Sequence, residues 1–340
     1  MKLTIGSMQK TLKARITAGI GTPVLILGAP GVGKTAITTR LARDLLFGYE
    51  YLSLMMKAPF DLTGVPHVED GYTEYAPPSL FRRLSSRRTL LHLDELTNAV
   101  PAMQALAQSM IHERRVGDAQ VPDDTVIIAC ANTREHGAAV YDMPAPLVNR
   151  FDVFTIDHDS RNAKQEFLTY ASGAGFSPDI VAFLQLQPDL IHRMPSDLTL
   201  STAWPSPRSW ENASKNHIAG LSTEPSVGVL VSAPFDKFCR VIKTLPDINL
   251  ILAGTPGVIF PADPEFAWAY VAAMSMHVKT PAQAVAAATW IGADRREFAA
   301  IFMTMVSRTM TGQDHKQLRT LVASNPDSVR VMAATAPLVV

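Results

Sequence analysis

The sequence predicts an α/β protein: a parallel sheet covered by helices on both faces, followed by a mainly helical second half. Three observations carry this. Short continuous apolar runs recur through the first half, and segments of helical periodicity separate them. Beyond about Asp157 the strand signals fade while helix-start signals multiply. Strands buried on both faces lack polar–apolar alternation, and parallel pairing requires helical crossovers between them.

Taken in order, PVLILG (Pro23 to Gly28) reads as a fully buried strand and KTAITTRLARDLL (Lys34 to Leu46) as the helix after it. YLSLMM (Tyr51 to Met56) reads as the second strand, TLLHLDE (Thr89 to Glu95) as the third and TVIIACAN (Thr125 to Asn132) as the fourth. FDVFTI (Phe151 to Ile156) is the fifth. Before the fourth strand, Met103, Leu106, Ala107 and Met110 recur at helical spacing. One insertion breaks the rhythm. Gly64 to Pro78 holds two alternating segments around Asp70-Gly71, a hairpin turn signal, and Arg114 to Asp124 has the pattern of a smaller hairpin. In the second half, Ser177-Pro178, Ser206-Pro207 and Thr280-Pro281 each pair an N-cap residue with proline at the first helical position.

Composition bounds the function. The 340 residues are 47% hydrophobic and 18% charged, enough to bury a large core. Lys+Arg and Asp+Glu both number 31, which argues against a protein that coats nucleic acid by bulk charge. Two cysteines, Cys130 and Cys239, do not make a disulfide framework, and Cys130 lies inside a buried strand as a core residue. The N-terminal MKLTIGSMQKTLKAR has no signal-peptide core, and no window reaches the roughly eighteen apolar residues of a membrane span. The expectation is a soluble cytoplasmic protein. The nine histidines show no paired metal-ligand spacing.

GAPGVGKT, Gly28 to Thr35, fits G-x-x-x-x-G-K-[ST] between a strand and a helix, the setting that gives this motif its meaning. Gly28, Ala29, Pro30, Gly31, Val32 and Gly33 form the segment that wraps phosphate oxygens at a helix N-terminus, through the backbone N–H groups of all but Pro30. Lys34 is placed for the β- and γ-phosphates and the Thr35 hydroxyl for Mg²⁺. Asp94 and Glu95 end an apolar strand, where α/β sheets put ligand sites. Asp94 suits Mg²⁺ or its waters, and Glu95 can polarise an attacking water. Adjacent strand residues face opposite ways, so the strand must end there for both to serve one site. Asn132 ends the next strand with a neutral amide able to hold water or the γ-phosphate, although asparagine also starts turns.

The order of these motifs, followed by Arg150 before the fifth strand and Arg208 at a helix start, resembles the AAA+ ATPases, and more narrowly their MoxR-like group in the helix-2-insert clade. The matching stretches are GAPGVGKT (Walker A), LLHLDE (Walker B), CANT (sensor 1), PAPLVNRF (arginine-finger region) and PSPRSW (sensor 2). DLTG followed by a hairpin resembles the helix-2 insert. The resemblance spans roughly Ser7 to His217, and the last hundred or so residues match no motif. It implies an αβα core over residues 1–157 with a five-stranded parallel sheet in the order 5-1-4-3-2, and an all-helical lid with a helical extension over 158–340. It implies ATP and Mg²⁺ as cofactors, with Thr35 and Asp94 holding the metal. Glu95, Asn132, Arg150 and Arg208 become the catalytic set, Arg150 reaching the nucleotide of an adjacent subunit. It also implies a homo-oligomeric, usually hexameric, ring that remodels protein partners, often with a von Willebrand factor A-domain protein. The group commonly has Asp-Arg where this chain has Asn149-Arg150, which leaves the arginine less neutralised by its neighbour.

Competing readings remain at this level. Arg150 could instead pair with Asp152, and Arg208 could be a solvated helix-start residue. FRRLSSRRT, with Arg82, Arg83, Arg87 and Arg88, reads as a solvated face before a nucleic-acid contact. Tyr72 and Tyr75 on the insert either face a pore or pack on the body. The alternatives to a partner-remodelling ATPase are a nucleic-acid-directed ATPase and a nucleotide-gated scaffold with slow hydrolysis.

Overall fold

Alternation along each central strand sorts its side chains onto two cores. In the computed structural model, which describes all residues except 133–140, 196–201, 245, 293–294, 311, 325, 327–328 and 331–340, the chain divides into two units, Met1–Ala163 and Lys164–Val340. The first contains, in order, β1 (Lys2–Leu3), α1 (Ile5–Thr17), β2 (Val24–Leu27), α2 (Lys34–Asp44), β3 (Gly48–Ser53), α3 (Phe60–Thr63), β4 (Val65–Glu69), β5 (Tyr72–Ala76), α4 (Ser79–Leu84), β6 (Thr89–Asp94), α5 (Pro101–His112), β7 (Arg115–Val116), β8 (Ala119–Gln120), β9 (Val126–Ala131), α6 (Ala145–Val148) and β10 (Asp152–Ile156).

The main sheet has six strands in the order β1-β10-β2-β9-β6-β3, all parallel. The five strands from β10 to β3 follow the expected 5-1-4-3-2 order, so the count of five is corrected to six. The added edge strand, Lys2–Leu3, pairs with Thr155–Ile156 and is too short to show any periodicity in the sequence. Val24 and Ile26 of β2, Leu90 of β6 and Ile128 and Cys130 of β9 join one core with Met8, Leu12, Ile37 and Leu41 of α1 and α2. Leu25, Leu91, Leu93, Ile127 and Ala129 turn the other way, onto Met103, Ala107 and Met110 of α5.

The second strand is displaced from its expected place. It runs Gly48–Ser53, and Leu54–Met56 form a 3₁₀ turn instead. Sequence periodicity was drawn to the apolar Met55 and Met56, but these are exposed, whereas the edge strand itself buries only Gly48 and Leu52. The inserted hairpin forms as expected. Asp70 (φ 51°) and Gly71 (φ 83°) are both left-handed, the geometry of a two-residue hairpin turn. All ten of its strand residues are exposed, Tyr72 at 75% and Val68 at 77%. Gly64, at its base, has φ 91°, and a Cβ there would collide with the Ala76 carbonyl oxygen.

The second unit is helical: α7 (Arg161–Gly173, which begins in the first unit), α8 (Pro178–Leu186), α9 (Pro207–Ile218), α10 (Glu224–Val227), α11 (Val229–Thr244), α12 (Ile248–Leu252), α13 (Pro264–His277), α14 (Pro281–Ile291), α15 (Arg296–Thr309) and α16 (Gly312–Ser324). Ser206 caps α9 by accepting from Ser209 N, and Thr280 and Gln283 form a capping box on α14. Ser177 precedes Pro178 as expected, but its side chain makes no capping bond; its backbone N–H donates to Ser214 Oγ at 2.7 Å. Trp210 is fully buried among Phe183 and Phe235, and its indole N–H reaches Leu190 O at 2.7 Å. Among the described residues, no helix is long and apolar enough to cross a membrane.

Candidate nucleotide site

The site lies at the C-terminal ends of β2, β6 and β9. After Leu27 the chain enters Gly28 to Gly33, where Gly31 (φ 76°) and Gly33 (φ 105°) take left-handed backbone that side-chain-bearing residues avoid. Gly28 is closely packed, since a Cβ there would sit 3.3 Å from both Ile156 and Val32. Ala29 and Val32 are buried and anchor the loop in the core, so only their backbone is open to a ligand. α2 then starts at Lys34.

Lys34 is the hub. Its ammonium donates to Gly28 O (2.9 Å), Ala29 O (3.0 Å) and Asn132 Oδ1 (2.7 Å). This joins the ends of β2 and β9. The Thr35 hydroxyl lies 3.5 Å from Asp94 Oδ2, at the long limit of a hydrogen bond. A hydroxyl and a carboxylate facing each other in this way are a hard-oxygen donor set of the kind Mg²⁺ takes. β6 ends at Asp94, and Glu95 adopts φ 58°, ψ 37°, an uncommon backbone for a non-glycine residue. Its N–H is held by Asp94 Oδ1 at 2.9 Å.

Two residues that the sequence reading missed complete the acidic end. Ser53 Oγ donates to Glu95 Oε2 at 2.7 Å, and the Tyr51 hydroxyl donates to Asp94 Oδ2 at 3.2 Å. Partial burial, followed by the charge of Asp94, pushes the Tyr51 phenol up to about 12, so it keeps its proton at neutral pH and acts as a donor. Both come from β3, which pairs with β6 so that Ser53 lies opposite Asp94. Beneath Asp94, the fully buried His92 bonds through Nδ1 with Tyr49 OH (2.8 Å) and Thr38 Oγ1 (3.2 Å), and burial lowers its pKa.

The two arginines come from other elements. Arg150 follows α6, before β10 begins, and its Nε is buried with no hydrogen-bond partner among the described residues. The ion pair with Asp152 does not form. Asp152 binds Arg15 of α1 instead, whose guanidinium also lies over Phe154. Arg208 is an exposed residue in the first turn of α9, in the second unit. The arginine-rich stretch is partly engaged within the fold. Arg83 pairs with Glu50 at 2.9 Å, and Arg88 lies over Phe47 at 4.6 Å.

Sheet order, glycine loop and acidic strand end together define a P-loop α/β fold of the AAA+ type. Residues 23–151 match the family described as AAA domain (dynein-related subfamily), which takes in the P-loop, Asp94, Glu95, Asn132 and Arg150. A comparison with curated protein sequences finds no match. Among solved structures, the chain is similar to a point mutant of RuvB from Thermotoga maritima, with a TM-score of 0.40 and 14% identity over 75% of this chain and 81% of that one. It is also similar to the T. maritima RuvB described as a Holliday junction branch migration motor, with a TM-score of 0.38 and 17% identity over 72% and 76% of the two chains.

Proposed function

We propose that this chain is a Mg²⁺-dependent ATPase that works as a homo-oligomeric ring, of six subunits on the MoxR-like pattern, and remodels or assembles protein partners. The observation that carries the reading is the convergence of Lys34, Thr35, Asp94, Glu95 and Asn132 at the ends of three neighbouring parallel strands.

In this reading Lys34 exchanges the carbonyls of Gly28 and Ala29 for the β- and γ-phosphate oxygens of ATP, while the loop N–H groups surround them. Thr35 and Asp94 would hold Mg²⁺, which when bound neutralises phosphate charge. Glu95 leaves Ser53 and takes a proton from the attacking water. The water oxygen bonds to the γ-phosphorus as the bond to the bridging oxygen breaks, and ADP departs with that electron pair. Asn132 positions the water or the γ-phosphate without adding charge. Arg150 serves the neighbouring subunit's site, and Arg208 serves its own chain's. The occupation of Asp152 by Arg15 supports this role, because Arg150 is left without that partner. The MoxR-like resemblance favours a von Willebrand factor A-domain partner, the balanced charge favours a protein over a nucleic-acid partner, and the two cysteines fit a cytoplasmic setting.

Phosphate release and fluorescent-nucleotide binding test the reading together. Lys34→Ala is expected to abolish nucleotide binding, and unchanged affinity would overturn the P-loop assignment. Strong, salt-sensitive stimulation of turnover by DNA would overturn the protein-partner reading in favour of a nucleic-acid-directed one.

A further inference from the structure

The second unit brings together three metal-ligating side chains that ATP hydrolysis does not use. Asp179 lies in the first turn of α8, His217 in the last turn of α9, and Cys239 on α11. His217 Nε2 donates to Asp179 Oδ2 at 2.9 Å, and one donor atom from each of the three residues lies within 4.8 Å of the others. We infer that Asp179, His217 and Cys239 form a binding site for a divalent transition metal of the zinc type, with a fourth position left to water.

The donor chemistry selects the ion. A carboxylate oxygen, an imidazole nitrogen and a thiolate sulfur are the three ligand types zinc takes, at roughly 2.0–2.3 Å in tetrahedral geometry. That geometry separates donor atoms by about 3.3–3.8 Å, so the observed spacing needs only small side-chain rotations. Mg²⁺ prefers oxygen alone and is selected against here, unlike at Thr35 and Asp94.

The three helices pack directly on one another: Phe183 of α8, Trp210 of α9 and Phe235 of α11 share a contact, with ring centres 5.4 to 6.4 Å apart. The His217 ring packs edge-on against Phe235 at 5.0 Å, which fixes its plane. Burial is graded. Cys239 is 9% exposed, while the side chains of His217 and Asp179 are 25% and 35% exposed, giving an ion an approach and a water a place.

Burial, reinforced by Asp179 and Asp236, pushes the Cys239 thiol up to about 12. The metal-free thiol therefore stays protonated at neutral pH, and a coordinating ion deprotonates it. As the sulfur–metal bond forms, the thiol proton passes to water. The His217–Asp179 hydrogen bond gives way as Nε2 turns its lone pair to the ion, its proton relocating to Nδ1. Sequence spacing hides the site, because Asp179 and His217 are 38 residues apart on different helices.

Co²⁺ titration of the full chain tests this, with excess Mg²⁺ present to occupy the oxygen-ligand site. A thiolate-to-cobalt charge-transfer absorption is expected, saturating at one equivalent and displaced by Zn²⁺. The chain has only two cysteines, so the sulfur is assignable. The absorption should vanish in Cys239→Ser and persist in Cys130→Ser, which removes the thiol near His92 and Asp94. His217→Gln and Asp179→Asn should each weaken Co²⁺ binding at least about tenfold. No charge-transfer band in the wild type, or a band retained in Cys239→Ser, overturns the site. If Cys239→Ser fails to fold by circular dichroism, unchanged Co²⁺ affinity in His217→Gln and Asp179→Asn overturns it equally.

Discussion

Single side chains at the acidic strand end set the expected chemistry. Glu95→Gln keeps the shape but removes the proposed base, so it is expected to bind ATP and to hydrolyse it about 10²–10⁴-fold more slowly. Single-turnover phosphate release checks this, and wild-type turnover would remove Glu95 from its role. Ser53 acts in the opposite direction. Its hydroxyl occupies the carboxylate proposed to face the attacking water, so Ser53→Ala is expected to raise basal ATP turnover severalfold without changing nucleotide affinity. A fall in turnover would make Ser53 a positioning group for catalysis instead. Neither Ser53 nor Tyr51 was legible in the sequence. Each lies about forty residues from its acidic partner and meets it only because β3 and β6 are neighbours in the sheet.

At the scale of elements, legibility followed burial. β2, β6 and β9 were plain because strands enclosed on both faces are continuous apolar runs. β1 offered only two residues, and β3, exposed at the sheet edge, was outcompeted by the neighbouring Leu54, Met55 and Met56. Caps were legible as residue types but not as bonds. Thr280 makes its capping box, whereas Ser177, in the same sequence setting, does not cap. Thr280→Ala is therefore expected to cost the second unit about 1 kcal/mol, read as a lowered urea midpoint with an unchanged slope. Ser177→Ala should cost less than half of that if capping is the cause.

For the whole molecule, the proposal turns on a residue whose role needs a second copy. Arg150→Ala is expected to bind ATP normally and to lose about 10³–10⁵ in turnover. Mixing it with Glu95→Gln in mixed rings should restore activity, because some interfaces then join an intact Glu95 to an intact Arg150. No rescue in rings shown to be mixed by co-purification of two differently tagged variants contradicts a finger acting between subunits. The order of motifs placed Arg150 in the sequence, just before the fifth strand. The occupation of Asp152 by Arg15 was not readable there, because the two residues are 137 apart in the chain.

The inserted hairpin has a consequence of a different kind. Its ten strand residues are exposed, and it leaves the body at Gly64, where a larger residue does not fit. The cores of the first unit draw no buried side chain from it. A segment built this way is free to change almost every letter without disturbing the folding of the machine that carries it. Substitutions along β4 and β5 are therefore expected to change what the surface presents while leaving the stability of the first unit nearly unchanged.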